Sequence, residues 1–201
     1  MAAAGAPPDA TVLVITGDPG EDARSSLAEL LGPSRLAALE RGLMDGARAW
    51  AERVAPGRVG VHEAIGSAAL GAAVDRAFAA AAPAGGPVLL IWPVLPLWRS
   101  EHADGALGDL AQGCDVTVGP VYDGGFYLVG LARPVAALFT VPDEAWSGPD
   151  AMGLVLAVAH QARLEAGMLR AERGLRRAAD VRAALADPLV APELRAILAD
   201  G

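Results

Sequence analysis

Val118-Gly-Pro-Val-Tyr-Asp-Gly-Gly-Phe-Tyr-Leu-Val-Gly-Leu131 is the stretch on which the fold reading turns. Two apolar runs, Asp115 to Pro120 and Phe126 to Leu131, flank Tyr122-Asp-Gly-Gly125. Asp-Gly between two such runs predicts two strands joined as an antiparallel hairpin, because the pair accepts the left-handed backbone of a tight turn.

The chain around it alternates strand and helix. Pro87-Val-Leu-Leu-Ile-Trp92 is a continuous apolar run after Gly85-Gly86. Such a run predicts a strand covered on both faces, as in the middle of a parallel sheet. Thr11-Val-Leu-Val-Ile-Thr16 reads as a second buried strand and Arg58 to Glu63 as a weaker one. Helices are predicted over Glu21 to Leu31, Pro33 to about Val54, Ala69 to Ala82 and Glu101 to Ala111. In the second of these, Leu36, Leu39, Leu43, Ala47, Trp50 and Val54 recur at threes and fours, the period of one helix face. Downstream, a helix over Ala151 to Ala166, a strand over Met168 to Ala171, and short helices over Ala178 to Leu185 and Pro192 to Leu198 complete the pattern. This order predicts an α/β fold with a mostly parallel central sheet and a late antiparallel hairpin near its edge. Residues 1–10, rich in Ala, Gly and Pro, read as a flexible N-terminus, and residues 11–201 as a single domain.

Composition excludes several function classes. With 201 residues, the chain is long enough to bury a core without disulfide or metal staples. Its one cysteine, Cys114, forms no intramolecular disulfide and no cysteine zinc cluster. The net charge of -8 speaks against nucleic acid as a partner, since such binders carry a basic patch. All 16 basic residues are arginine, so a P-loop lysine and a Schiff-base lysine are excluded. Apolar runs such as Ala79 to Ala84 fall far short of the ~20 residues that a membrane helix needs. Met1 to Ala10 has no basic residue of the kind that opens a signal peptide. The chain therefore reads as a cytoplasmic protein without a membrane partner.

The 118–131 segment resembles the "GPAxDGGYxLIGL" signature of the radical-SAM/selenodomain-associated transferases, a bacterial family similar to nucleotide-diphospho-sugar transferases. Other segments resemble that family in order. Thr11 to Thr16 stands for its first strand, Gly17-Asp-Pro-Gly20 for its Pro-x-x-Gly loop, Leu31-Gly-Pro33 for its helix junction, and Ala145-Trp-Ser147 for its tryptophan segment. The resemblance implies a GT-A-like three-layer sandwich and a nucleotide-dependent glycosyl- or nucleotidyl-transferase with Mg or Mn. A nucleotide or nucleotide sugar would be its ligand.

The same comparison exposes losses. The family's basic Lys-Thr-Arg-Leu element corresponds to Asp22-Ala-Arg-Ser-Ser-Leu27, in which Arg24 is the only cation. The strand-end Asp, a metal ligand in GT-A enzymes, falls within Trp92-Pro-Val-Leu-Pro96, which holds no carboxylate. The late "DVDT" element appears as Ala178-Ala-Asp-Val181, keeping at most Asp180. A diphosphate must be met by a metal, by cations or by backbone N–H groups, and Mg²⁺ wants several hard oxygen ligands.

The candidates follow from this. Asp123 is the candidate catalytic residue and metal ligand, and Gly124 and Gly125 beside it are candidate substrate or interface positions; the other reading is a tight turn, with the two glycines supplying backbone freedom. Gly17, Gly20, Arg24 and Ser25 are candidates for the nucleotide, against the plain alternatives of a turn and a solvated helix start. Trp92 and Trp98 either fill the vacated strand end or form an apolar contact surface for an acceptor or a protein partner. Tyr127 is a further acceptor candidate. His62, His102 and His160 have no metal-ligand spacing. Arg170, Arg173, Arg176 and Arg177 read as a solvated basic face or as substitutes for the missing phosphate contacts. Two functions stay open: a transferase, favoured by the kept Asp-Gly-Gly, and a catalytically degenerate relative that acts as a binding or assembly partner, favoured by the missing carboxylate.

Overall fold

The computed structural model describes residues 9–16, 21–63, 66–81, 85–146 and 148–199, and of residues 21–24, 144 and 145 the backbone alone. The predicted flexible N-terminus lies almost wholly outside the described residues, as do Gly17 and Gly20 and the side chain of Arg24. The order is β1 (Thr11–Thr16), α1 (Glu21–Leu31), α2 (Pro33–Val54), β2 (Val59–Glu63), α3 (Ser67–Ala81), β3 (Val88–Ile91), α4 (Ser100–Ala111), β4 (Val116–Pro120), β5 (Phe126–Leu131), α5 (Ala151–Gln161), β6 (Ala166–Met168), α6 (Ala178–Ala186) and α7 (Pro192–Ala199), with two 3₁₀ turns, Ala136–Thr140 and Asp143–Trp146, before α5.

The six strands form one mixed sheet in the order β2-β1-β3-β5-β4-β6. β1 is parallel to β2 and β3, β4 is parallel to β6, and β5 is antiparallel to both of its neighbours. The hairpin expected near the edge is therefore interior. β5 is inserted between β3 and β4 and is buried along its whole length. Its continuous apolar run is what a strand covered on both faces requires. Gly130 makes the insertion possible: a Cβ there would lie 2.7 Å from the Thr117 methyl and 3.1 Å from Leu89.

Alternation along the strands sends side chains to two cores. Leu13, Ile15, Leu90, Val118 and Val129 pack on one face beneath α3 and α5. Val12, Val14, Leu89, Ile91 and Leu128 pack on the other with Trp50 of α2 and Ala106 of α4. Leu36, Leu39 and Leu43 of α2 turn instead to a third cluster with α1, α6 and α7. There Arg35 donates to the carbonyls of Ile197 and Leu198, closing the C-terminal end of α7.

Several boundaries differ from expectation by a residue or two, and α5 and the last strand differ for a clear reason. α5 ends at Gln161 rather than Ala166, because Arg163 adopts φ 56° and the Leu164 N–H returns to the Ala159 carbonyl. A left-handed residue there ends a helix. The last strand is accordingly β6, two residues earlier than predicted, and a single bridge between Val121 and Glu172 prolongs its contact with β4. Among the described residues, no helix is long and apolar enough to cross a membrane.

Candidate functional site

The C-terminal ends of the parallel strands lie on one edge of the sheet, where α/β proteins place their ligands. Three described connections meet there: residues 92–99 after β3, 121–125 after β4, and 169–177 after β6.

The 121–125 turn is tightly determined. The Val121 N–H donates to the Gly125 carbonyl at 2.9 Å and the Gly124 N–H to the Val121 carbonyl at 3.0 Å. Gly124 has φ 95°, and a Cβ at that position would fall 1.8 Å from the Pro149 carbonyl oxygen. Only glycine satisfies both constraints. At Gly125, a Cβ would lie 2.5 Å from an Arg176 guanidinium nitrogen. Both glycines thus have geometric roles: one lets the turn pass 149, the other lets Arg176 approach. Asp123 Oδ1 accepts the Gly125 N–H at 3.4 Å, the weak end of hydrogen-bond range.

The other oxygen of Asp123 faces Arg176. Nε of Arg176 lies 3.1 Å from Oδ2, with side-chain exposures of 9% and 13%. Asp180, the other carboxylate that the resemblance brings to a metal, is likewise engaged. Its Oδ2 accepts the Arg176 and Arg177 N–H groups at 3.3 and 2.9 Å, and its Oδ1 pairs with Arg173 at 3.0 Å. Asp180 thereby closes the N-terminus of α6, where a carboxylate meets both free N–H groups and the positive end of the helix. The basic segment is therefore not a uniformly solvated face: Arg176 is buried and Arg173 is paired, while Arg170 and Arg177 are exposed.

A second polar group sits beside it. Arg99 donates to Glu172 Oε1 at 2.6 Å, and His102 Nε2 lies 3.5 Å from the same oxygen. His102 is buried, and its Nδ1 accepts the Arg99 N–H at 3.3 Å. That bond assigns the remaining ring proton to Nε2, facing Glu172. Burial pulls the His102 pKa below its ordinary value, and nearby Glu172 opposes the shift without reversing it. The Arg99 carbonyl accepts Trp50 Nε1–H at 2.7 Å, tying the 92–99 connection to α2.

The aromatic candidates divide between the two faces. Trp92 is half-buried and stacks on Trp146, with ring centroids 6.2 Å apart and planes 9° apart, and meets Phe126 at 5.8 Å. Trp98 packs 4.8 Å from Trp50 and 6.0 Å from Tyr127. Trp98 is buried, and Tyr127 is 1% exposed with its hydroxyl donating to the Arg170 carbonyl. Burial raises the Tyr127 pKa. Neither side chain presents a surface to an acceptor or a partner; both are core. Ser25 is exposed on α1. The structure thus brings Asp123, Gly124 and Gly125 together with Arg176 and keeps Trp92 and Trp98 apart.

Sequence reasoning did not single out Arg99, Tyr122 or Glu172, which gather at a cavity of about 330 Å³ between residues 95–99, 172–175 and α6. A faint signal existed in Glu172, an acid inside a basic run, whose neighbours are set by tertiary contact alone.

A divalent metal does not fit the described residues. Asp123 and Asp180 are each committed to arginine, 92–96 supplies no carboxylate, and no three His, Cys, Asp or Glu side chains converge among the described residues. A metal at Asp123 would have to displace the buried Arg176 guanidinium from its carboxylate.

Comparison with known proteins adds two findings. Residues 34–147 match the family described as "Uncharacterized protein conserved in bacteria (DUF2064)". The fold is similar to the crystal structure titled "putative nucleotide-diphospho-sugar transferase" from Desulfovibrio desulfuricans G20, with a TM-score of 0.73, 19% identity, and coverage of 95% of this chain and 94% of that one. Among curated proteins none matches.

Proposed function

The chain belongs to the DUF2064 family of bacterial proteins, and from that premise we propose that it is a transferase-like protein with an eroded metal and phosphate site that works by binding rather than by group transfer. One observation carries the reading. The Asp-Gly-Gly carboxylate that the resemblance assigns to a metal is neutralised inside the chain by Arg176, at 3.1 Å. A buried arginine supplies the positive charge that a metal would otherwise bring, but it offers no open coordination position for a phosphate oxygen or a water. The apolar frame is meanwhile intact: Trp92, Phe126 and Trp146 fill the strand end where a carboxylate would stand. The fold similar to that of the "putative nucleotide-diphospho-sugar transferase" supports descent from such a site. The finer likeness to the radical-SAM/selenodomain-associated transferases, carried by residues 118–131, belongs to the same proposal.

The second reading is a working glycosyl- or nucleotidyl-transferase that uses Mg or Mn. The retained turn around Asp123 favours it, since the Gly124 geometry holds the carboxylate at the ligand edge of the sheet. Calorimetric titration of the full chain with nucleoside triphosphates and nucleotide sugars, with and without Mg²⁺ or Mn²⁺, separates the two. The binding reading expects no ligand whose affinity depends on metal. Metal-dependent binding of one nucleotide, lost in Asp123→Ala, would establish the transferase.

A further inference from the structure

The cavity of about 330 Å³ adjoins the carboxylate turn through Tyr122 and Asp180 but does not include Asp123 or Arg176 in its walls. Its volume is at the small end of ligand pockets and suits a single ring rather than a nucleotide. Its apolar lining comes from Leu95, Leu97, Leu175, Ala184 and Val190. The polar wall is unevenly charged. It holds Arg99 and Arg173 against Glu172, Asp180 and Asp187. Arg99 is bonded to Glu172 at 2.6 Å and Arg173 to Asp180 at 3.0 Å, which leaves the Asp187 carboxylate over.

Asp187 has no ion pair among the described residues. It directly follows α6, its N–H donates to the Ala184 carbonyl, and its Oδ1 accepts the Leu189 N–H at 2.9 Å. The C-terminal end of a helix carries partial negative charge from its unpaired carbonyls. A carboxylate placed there adds to that potential, and both favour a cation. Tyr122, also in the wall, is 64% exposed. Its ring already attracts one cation, since the Arg173 guanidinium carbon lies 5.3 Å from the ring centroid. An anion entering here meets two arginines already neutralised and three carboxylates, on a chain of net charge -8.

We infer that this cavity binds a small organic cation, an apolar body of about one ring with a protonated amine that pairs with Asp187 beside the Tyr122 ring. The amine head replaces the counter-charge that Asp187 lacks, and the body covers Leu95, Leu175 and Val190.

Three probes of one size and different head charge test this: 2-phenylethylamine, 2-phenylethanol and phenylacetate, titrated into the full chain and followed by amide chemical shifts in NMR. The amine is expected to bind, shifting residues 172–175 and 183–190. The alcohol should be weaker by about tenfold, the scale of one charge-assisted contact, and phenylacetate should not bind. Asp187→Asn keeps the acceptor for the Leu189 N–H, so the turn persists, and it should bring the amine down to the affinity of the alcohol. Ala183→Leu, which fills the cavity from a helical position and leaves every charge in place, should abolish binding. Failure of all three probes, equal binding of amine and alcohol, preference for phenylacetate, or an amine affinity unmoved by Asp187→Asn would overturn the inference. None of these outcomes bears on Asp123, so the site proposed here and the reading of the carboxylate turn fail separately.

Discussion

Arg176→Met is the perturbation that puts most weight on the structure. It keeps the length of the side chain and removes its charge. Asp123 is then left 13% exposed without the guanidinium at 3.1 Å. Removing one member of a buried ion pair costs about 3–5 kcal/mol, because the remaining charge stays desolvated. In a domain of this size each kcal/mol moves the midpoint by about 2–4 °C, so a fall of roughly 6–20 °C is expected. Asp123→Asn keeps an acceptor for the Gly125 N–H but takes the carboxylate away from a guanidinium that is 9% exposed, so by the same rule it too should lower stability. In the double variant Asp123→Asn with Arg176→Met, the buried charge is gone altogether. Much of the single-variant loss should then return, with a coupling of about 0.5–3 kcal/mol. Urea unfolding followed by tryptophan fluorescence measures all four species. If Arg176→Met is within about 0.5 kcal/mol of the wild type, as ordinary surface changes are, or if the two changes simply add, the pair does not exist as described and the account of the site fails with it.

Three further expectations follow from the same geometry. Gly124→Ala should destabilise by more than about 2 kcal/mol, since it combines a left-handed backbone with a collision against the Pro149 carbonyl; a midpoint unchanged in a thermal melt would contradict this. His102, whose pKa is lowered by burial from 6.5, takes up its proton more readily when unfolded. Its contribution to stability is therefore complete above about pH 6.5 and declines as pH falls below that value; His102→Gln should flatten this part of the stability profile, and an unchanged slope would show that the ring is not buried neutral. Trp50→Phe removes the bond from Nε1 to the Arg99 carbonyl at 2.7 Å and leaves that carbonyl only the His102 N–H at 3.3 Å; a loss of about 0.5–1.5 kcal/mol is expected in urea unfolding, and no loss would mean that this bond does not anchor the 92–99 connection to α2.

The elements readable in the sequence are those whose signal is local. Leu36, Leu39, Leu43, Ala47 and Trp50 announce a helix face, and α2 buries all five. The continuous runs 88–91 and 126–131 announce strands covered on both sides, and both are fully buried. β6 is only three residues long and mostly exposed, so it carries no apolar pattern that would fix its register. The insertion of β5 between β3 and β4 was equally hidden, because strand partners are chosen by contacts distant in sequence. At the site, Asp123 and its glycines were visible as a motif and the arginines as a run. That Arg176 would turn inward to Asp123 was not, since charge runs are read as solvated until a buried partner is known. Arg99, Glu172 and His102 lie on different elements and become a group only when the sheet is assembled.

The most direct test of the central claim is a Mn²⁺ titration of the full chain followed by electron paramagnetic resonance, in the wild type and in Arg176→Met. If Arg176 holds the place of a metal, the wild-type protein leaves the free Mn²⁺ signal unchanged through the millimolar range. A wild-type protein that takes up one Mn²⁺ and loses it with Asp123→Ala would contradict the account and restore a metal-dependent transferase.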